Sequence, residues 1–265
     1  EVSVYKNISG SWSLIGQWEG EGSGDKLAES LSLSDDGTIL AMGSALNEGS
    51  GSQSGHVRVF KYDGSSWSQV GSDIDGTNGG DLFGISASLS DDGNIIAIGG
   101  SSHDNKGHVQ IFENNGGIWQ QLGSDIDGES NGDASGYSVS LSSDGTIVAI
   151  GAPDNDDGAF NSGQVRIYQY SSGSWVQLGS DIDGNNLRES LGYSVSLSSD
   201  GTIVAIGMPR IDAGNPSGAD KVRVYKYNSG SWQQIGSDIN GEAGSDGSGF
   251  SVSLSSDGTI VAIGA

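Results

Sequence analysis

A tight-turn signature, Ser-[Ser/Asp]-Asp-Gly-[Thr/Asn], returns five times along this chain, at Asp36-Gly37, Asp92-Gly93, Asp144-Gly145, Asp200-Gly201 and Asp257-Gly258. A tryptophan marker keeps step with it at Trp12, Trp67, Trp119, Trp175 and Trp232, and both recur at intervals of 52 to 57 residues. A period this long and regular implies units that bury their apolar faces against one another.

The third unit displays the plan. Residues 137–141 alternate apolar residues with Ser, turn at Ser143-Asp144-Gly145, and continue over 146–152 as TIVAIGA, a β-branched run suited to a strand buried on both faces. After a variable loop, 164–170 alternates as QVRIYQY, turns at 171–173 and returns as SWVQLG. Four antiparallel strands, A to D, joined by tight hairpins make a propeller blade.

The chain ends divide one unit between them. Residues 1–16 hold only a C and a D strand, and 250–265 only an A and a B strand. The sequence therefore predicts an all-β fold, a five-bladed β-propeller forming one domain over 1–265. The N-terminal C/D strands pair with the C-terminal A/B strands and leave no free sheet edge. Blades fall at 23–76, 77–128, 129–184 and 185–246, with the fifth split between 1–22 and 247–265.

This periodicity outweighs a composition of 46 Gly and 17% charged residues that by itself suggests a disordered polar chain. The 34 acidic against 11 basic residues give a formal charge of −23, which disfavours nucleic acid and anionic lipid as partners. There is no Cys, so disulfides and thiolate metal sites are excluded, and no apolar run reaches the ~18 residues of a membrane-spanning helix.

Phe83-Gly84 precedes a strand A and Ile150-Gly151-Ala152-Pro153 closes a strand B. On these residues the whole chain resembles the FG-GAP repeats of integrin-α-like propellers. The glycine before strand A is kept at Gly84, Gly136, Gly192 and Gly249 and is Ala28 in the first unit. The resemblance implies an extracellular adhesion or recognition module. The calcium loop such repeats carry between strands A and B is here shortened to a four-residue turn, and five blades depart from the integrins' seven. Neither that metal site nor integrin partner choice carries over.

Acids gather instead in the links from strand D to the next blade. The third reads D-I-D-G-E-S-N-G-D, with Asp125, Asp127, Glu129 and Asp133; related sets are Asp73, Asp75 and Asp81, then Asp181, Asp183 and Glu189, then Asp238, Glu242 and Asp246. Glu19, Glu21 and Asp25 form a shorter first set. Alternating carboxylates about a Gly turn suit an all-oxygen Ca²⁺ shell, or they cap the link while the intervening Ile plugs the blade interface. Asp154, Asp156 and Asp157 form a second acidic group in the loop between strands B and C of the third blade, as a solvated loop or a further Ca²⁺ site. The Asp-Gly pairs of the A–B hairpins are turn residues.

His56 and His108 hold one repeat position, just before strand C, where other units have Gln164, Lys221 and Glu1; their placement tracks the blade rather than a catalytic triad. His103 stands outside the repeat. The strand D tryptophans read as packing residues, the alternative being sugar-stacking sites. The variable B–C loops share a face with the D–A links, and Phe160, Arg210, Ile211 and His103 are the candidate ligand contacts there. Asn7-Ile8-Ser9 is a glycosylation sequon that permits secretion.

The expectation is a non-catalytic recognition or adhesion module of a secreted or cell-surface repeat protein. It would be a monomeric domain binding a protein or glycan, with Ca²⁺ ordering the links. A five-site lectin and a structural assembly unit are the alternatives.

Overall fold

The computed structural model describes residues 1–22, 24–209, 220–243 and 246–265. It is all-β, with one short 3₁₀ turn at His103–Asn105. Strands β1 (Val2–Ile8) and β2 (Ser11–Trp18) form a hairpin. The first four-stranded sheet follows, with β3 (Ser30–Leu33), β4 (Ile39–Ser44), β5 (His56–Tyr62) and β6 (Trp67–Gln69), and a two-residue strand β7 (Ile74–Asp75) on β5. The second has β8 (Phe83–Leu89), β9 (Ile95–Gly100), β10 (His108–Asn114), β11 (Trp119–Gln121) and β12 (Ile126–Asp127). The third has β13 (Ser138–Leu141), β14 (Ile147–Ala152), β15 (Gln164–Ser171), β16 (Ser174–Gln177) and β17 (Ile182–Asp183). The fourth has β18 (Ser194–Leu197), β19 (Ile203–Met208), β20 (Lys221–Asn228), β21 (Ser231–Gln234) and β22 (Ile239–Asn240). A last hairpin pairs β23 (Ser251–Leu254) with β24 (Val261–Gly264).

Within each sheet the order is the antiparallel A-B-C-D of the sequence. The second strand is its buried centre: every residue of β4 and β14 is buried. Apolar residues of one sheet's strand C pack on strand B of the next, as Val109 and Ile111 do on Val148 and Ile150. Serines add hydrogen bonds across the same interfaces, Ser86 Oγ donating to the Gly136 carbonyl at 2.7 Å and Ser138 Oγ to that of Gly192 at 2.8 Å.

This close approach explains the glycines. A Cβ on Gly99 would lie 1.9 Å from the Gly136 carbonyl oxygen, and Gly136 itself has φ +83°. The pattern of paired glycines is a demand of sheet-on-sheet contact at this spacing. The strand D tryptophans bind adjacent sheets together: Trp119 Nε1 donates to the Val70 carbonyl at 2.9 Å, Trp175 to Leu122 and Trp232 to Leu178, both at 2.7 Å.

The two terminal hairpins are separate two-stranded sheets, and no pairing joins β1 to β24 among the described residues. Backbone hydrogen bonds between successive A–B turns run from Asp35 to Asp91, Ser143, Ser199 and Ser256 and stop there. Leu31 and Leu33 on β3 are each 52% exposed, whereas the counterparts of Leu33, namely Leu89, Leu141 and Leu197, are each 7% exposed under a preceding sheet. The repeat and its four-stranded sheets are thus present; the first hairpin packs Val2, Val4 and Trp18 on Leu40, Met42 and Phe60 of the first sheet, and β3 at that sheet's edge is left exposed.

Candidate functional site

The two-residue strands β7, β12, β17 and β22 were not anticipated from sequence, and they build the site. Each pairs with the start of its sheet's strand C, setting Asp75 opposite His56, Asp127 opposite His108, Asp183 opposite Gln164 and Asn240 opposite Lys221. In the first three the Ile of the pair, Ile74, Ile126 or Ile182, is buried and anchors the turn, while Ile239 of the fourth is exposed. Each sheet therefore offers the same constellation: the first and third residues of strand C, acids of its own link, and one acid from the preceding link.

In the first sheet His56 is 2% exposed, with Nδ1 3.6 Å from Asp73 and 4.0 Å from Asp75. Arg58 Nη1 donates to Glu21 at 2.9 Å, while Arg58 Nε and Nη2 are buried without a hydrogen-bond partner. Burial and the Asp73 charge raise the Asp75 pKa.

In the second sheet His108 is 1% exposed, with Nδ1 3.6 Å from Asp125 and neither ring nitrogen hydrogen-bonded. His103 stacks on its ring at 3.9 Å and 8°, and His103 Nδ1 stands 3.0 Å from Asp81 Oδ2, within ion-pair range but off the hydrogen-bond direction. Burial, then the His103 charge, pushes the His108 pKa down. Asp125 accepts from Gln110 at 3.0 Å and from Gln121 at 2.5 Å, and these bonds outweigh burial to lower its pKa.

In the third sheet the Gln164 amide donates to Glu129 at 3.1 Å, Asp183 at 3.2 Å and Asp157 at 3.4 Å. Burial, then the charges of Asp181, Asp157 and Glu129, raises the Asp183 pKa against the Gln164 bond. In the fourth sheet the chain supplies its own cations. Lys221 Nζ lies 2.7 Å from Glu189 and 3.3 Å from Asp238, and Arg223 bonds both acids at 2.9 and 3.0 Å. Despite burial, these partners hold Glu189 below its ordinary pKa and Asp238 at about 2.

The link acids thus divide among three neighbours. Asp125 and Asp127 join His108 of their own sheet, and Glu129 reaches Gln164 and Arg166 of the next. Asp133 instead caps its own loop, accepting from the Ser130 amide at 2.7 Å, as Asp81 does from Asn78, Glu189 from Asn185, Asp246 from Ala243 and Asp25 from Gly22. Asp181 accepts from Gln177, and Glu19 and Glu242 are exposed. In the third B–C loop Asp154 and Asp156 hold Asn161, leaving Asp157 to face Gln164.

Phe160 is 55% exposed with the Arg188 guanidinium over its ring. Arg210 and Ile211 lie outside the described residues. Among the described residues two groups can hold a metal ion, Glu21 with His56 and Asp73, and His108 with Asp125 and Asp127; in each the ligand atoms lie within 4.8 Å of one another. Sequence reading passed over His56 and His108 because they follow the repeat. The signal was the strand C opening itself, HVRVF, HVQIF, QVRIY and KVRVY, whose first and third residues both enter the site.

No family model matches the chain, and no curated protein matches it. Solved propeller structures do. The fold is similar to the periplasmic gluconolactonase of Pseudomonas aeruginosa, with TM-score 0.64 and 16% identity over 98% of this chain and 70% of that one. It is also similar to two proteins named as candidate 6-phosphogluconolactonases. One, from Bacteroides uniformis, has TM-score 0.52 and 12% identity, covering 96% of this chain and 81% of that one; the other, from Bacteroides fragilis, has 0.57 and 12%, covering 90% and 64%.

These matches correct the FG-GAP and integrin-like reading, since no FG-GAP or integrin propeller is among them. The physical reason lies in the glycines: Gly84 and Gly151 answer a close backbone approach between sheets, which is no mark of one family. The expectation of a non-catalytic adhesion module, and with it the lectin and assembly alternatives, is likewise corrected, because the matched propellers bear the names of hydrolytic enzymes. At these identities the likeness establishes the propeller fold. Among the described residues no helix is long and apolar enough to cross a membrane.

Proposed function

We propose that this protein is a hydrolase of lactones or similar esters of polyhydroxylated acids, with His103 as general base held by Asp81. The observation that carries the reading is the His103–Asp81 pair at 3.0 Å, with the Asp81 side chain 3% and the His103 side chain 15% exposed. The Asp81 charge beside Nδ1, at ion-pair distance, would stabilise the imidazolium formed when Nε2 takes a proton from water. That water attacks the lactone carbonyl, the ring C–O bond breaks, and the departing alkoxide recovers the proton to give the open hydroxy acid.

Substrate class is supported by a cavity of about 270 Å³ lined by Asp73, Asp75, Thr77, Gln110, Trp119 and Gln121, acids and amides for hydroxyl groups beside an aromatic face. Thr77 connects it to the base, its hydroxyl lying 3.4 Å from Asp81. The names of the matched lactonases favour the same chemistry, and the periplasmic one favours an extracytoplasmic setting. The test is acid release from aldonolactones in a pH-stat, corrected for spontaneous opening. Release above the buffer rate that His103→Gln removes is expected; a rate equal to buffer across the panel overturns the reading.

Calcium is the reading kept for the third sheet, where Glu129, Asp157 and Asp183 supply carboxylate oxygens around Gln164. A higher melting midpoint in Ca²⁺ than in chelator is expected, and equal midpoints retire it. For the whole molecule the proposal is a five-bladed ring in which β24 pairs with β1 as β14 pairs with β15. The exposed Leu31 and Leu33 support it, being the face such a blade would cover.

A further inference from the structure

The first and fourth sheets answer the same electrostatic problem differently. In the fourth, two carboxylates, Glu189 and Asp238, meet two cations of the chain, Lys221 and Arg223. The first sheet gathers three carboxylates, Glu21, Asp73 and Asp75, and one cation, Arg58, while His56 stands at the Lys221 position. With the imidazole uncharged, this leaves the cluster two negative charges in excess.

His56 is itself the second observation. The residue is 2% exposed, and its Nδ1 faces two carboxylates, Asp73 at 3.6 Å and Asp75 at 4.0 Å. These separations are too long for hydrogen bonds. They suit ligands sharing an ion: two donors each about 2.1 Å from a tetrahedral centre stand roughly 3.4 Å apart.

We propose that Glu21, His56 and Asp73 bind one divalent cation of the imidazole-preferring class, with Zn²⁺ as its representative. One imidazole with carboxylates favours Zn²⁺ and similar ions, whereas Ca²⁺ takes an all-oxygen shell. Arg58 keeps one Glu21 oxygen by its 2.9 Å bond and orients that carboxylate, and Asp75 stands beside the His56 nitrogen as a further acid. Solvent reaches Glu21 through an open acidic cavity of about 460 Å³ that Asp25 and Glu48 also line. The site does not include His103 or Asp81, but it shares Asp73 with the wall of the cavity assigned to the substrate.

The test is isothermal titration of the chelator-stripped 265-residue chain with Zn²⁺, repeated on two variants. Glu21→Gln alters a half-exposed side chain, keeps an acceptor oxygen for Arg58 and should weaken one equivalent by at least ~10-fold. His56→Lys copies the fourth sheet, placing an ammonium where the ion would sit. It should abolish that equivalent while melting no lower than the metal-free parent. Lactone hydrolysis dependent on His103 is measured on the metal-free parent, apart from the Zn²⁺ titration, so failure of one proposal is distinguishable from failure of the other. An unchanged equivalent in both variants, or no saturable Zn²⁺ binding at millimolar metal, overturns the assignment.

Discussion

Asp144 accepts three hydrogen bonds at one carboxylate oxygen, from Ser142 Oγ at 2.7 Å, the Thr146 amide at 2.9 Å and Thr146 Oγ1 at 2.8 Å. Asp36, Asp200 and Asp257 are held in the same way, and Asp92 by Ser90 and by the backbone and side-chain amides of Asn94. At Asp144 burial opposes ionisation, but these bonds outweigh it, and all five carboxyls sit below the ordinary pKa. Such a group binds fewer protons folded than unfolded, so its stabilisation is complete above the unfolded value of ~3.9 and fades as pH falls through the folded one. Melting midpoints should hold down to about pH 4 and then drop steeply toward pH 2, where Asp238 also protonates. A midpoint unchanged at pH 2.5 would contradict this. The turn role of these aspartates was legible because Asp-Gly chemistry is local. The roles of His56 and His108 were not, since a neighbour's link supplies part of their surroundings.

Among the elements, the short strand after strand D decides what the face can do. Two residues are too few to produce a period-2 signal, so β7, β12, β17 and β22 were invisible in a sequence that displayed the four main strands of each sheet. Their pairing gathers acids from two links around one strand C, and the occupant of its first position sets the outcome. In the fourth sheet this is a buried ion network, with Lys221 and Glu189 side chains only 12% and 5% exposed. Glu189→Leu strands Lys221 and Arg223 with Asp238 alone and should cost about 3–5 kcal/mol in urea unfolding. A loss under about 1 kcal/mol would mean that water already neutralises these groups.

For the molecule as a whole, the 52 to 57 residue period announced repeated sheets stacked face to face, and these are present. Ring closure depends on contacts between the most distant parts of the chain, which no local pattern encodes. By the register of β14 on β15, where Ala149 faces Ile167, Ala262 would face Val4. Val4→Cys with Ala262→Cys should therefore oxidise to an intramolecular disulfide in a monomer, and free thiols or linked dimers would speak against the ring. The proposed enzyme chemistry was hidden for a different reason: His103 is the one histidine outside the repeat, and Asp81 resembles every other link acid until the fold sets them 3.0 Å apart. The most direct measurement is steady-state lactone hydrolysis by the parent chain and by His103→Gln and Asp81→Asn, each first shown to melt cooperatively. The account predicts turnover that falls by ~100-fold or more in His103→Gln and by a smaller factor in Asp81→Asn. Turnover that is absent in the parent, or equal in all three proteins, would contradict it.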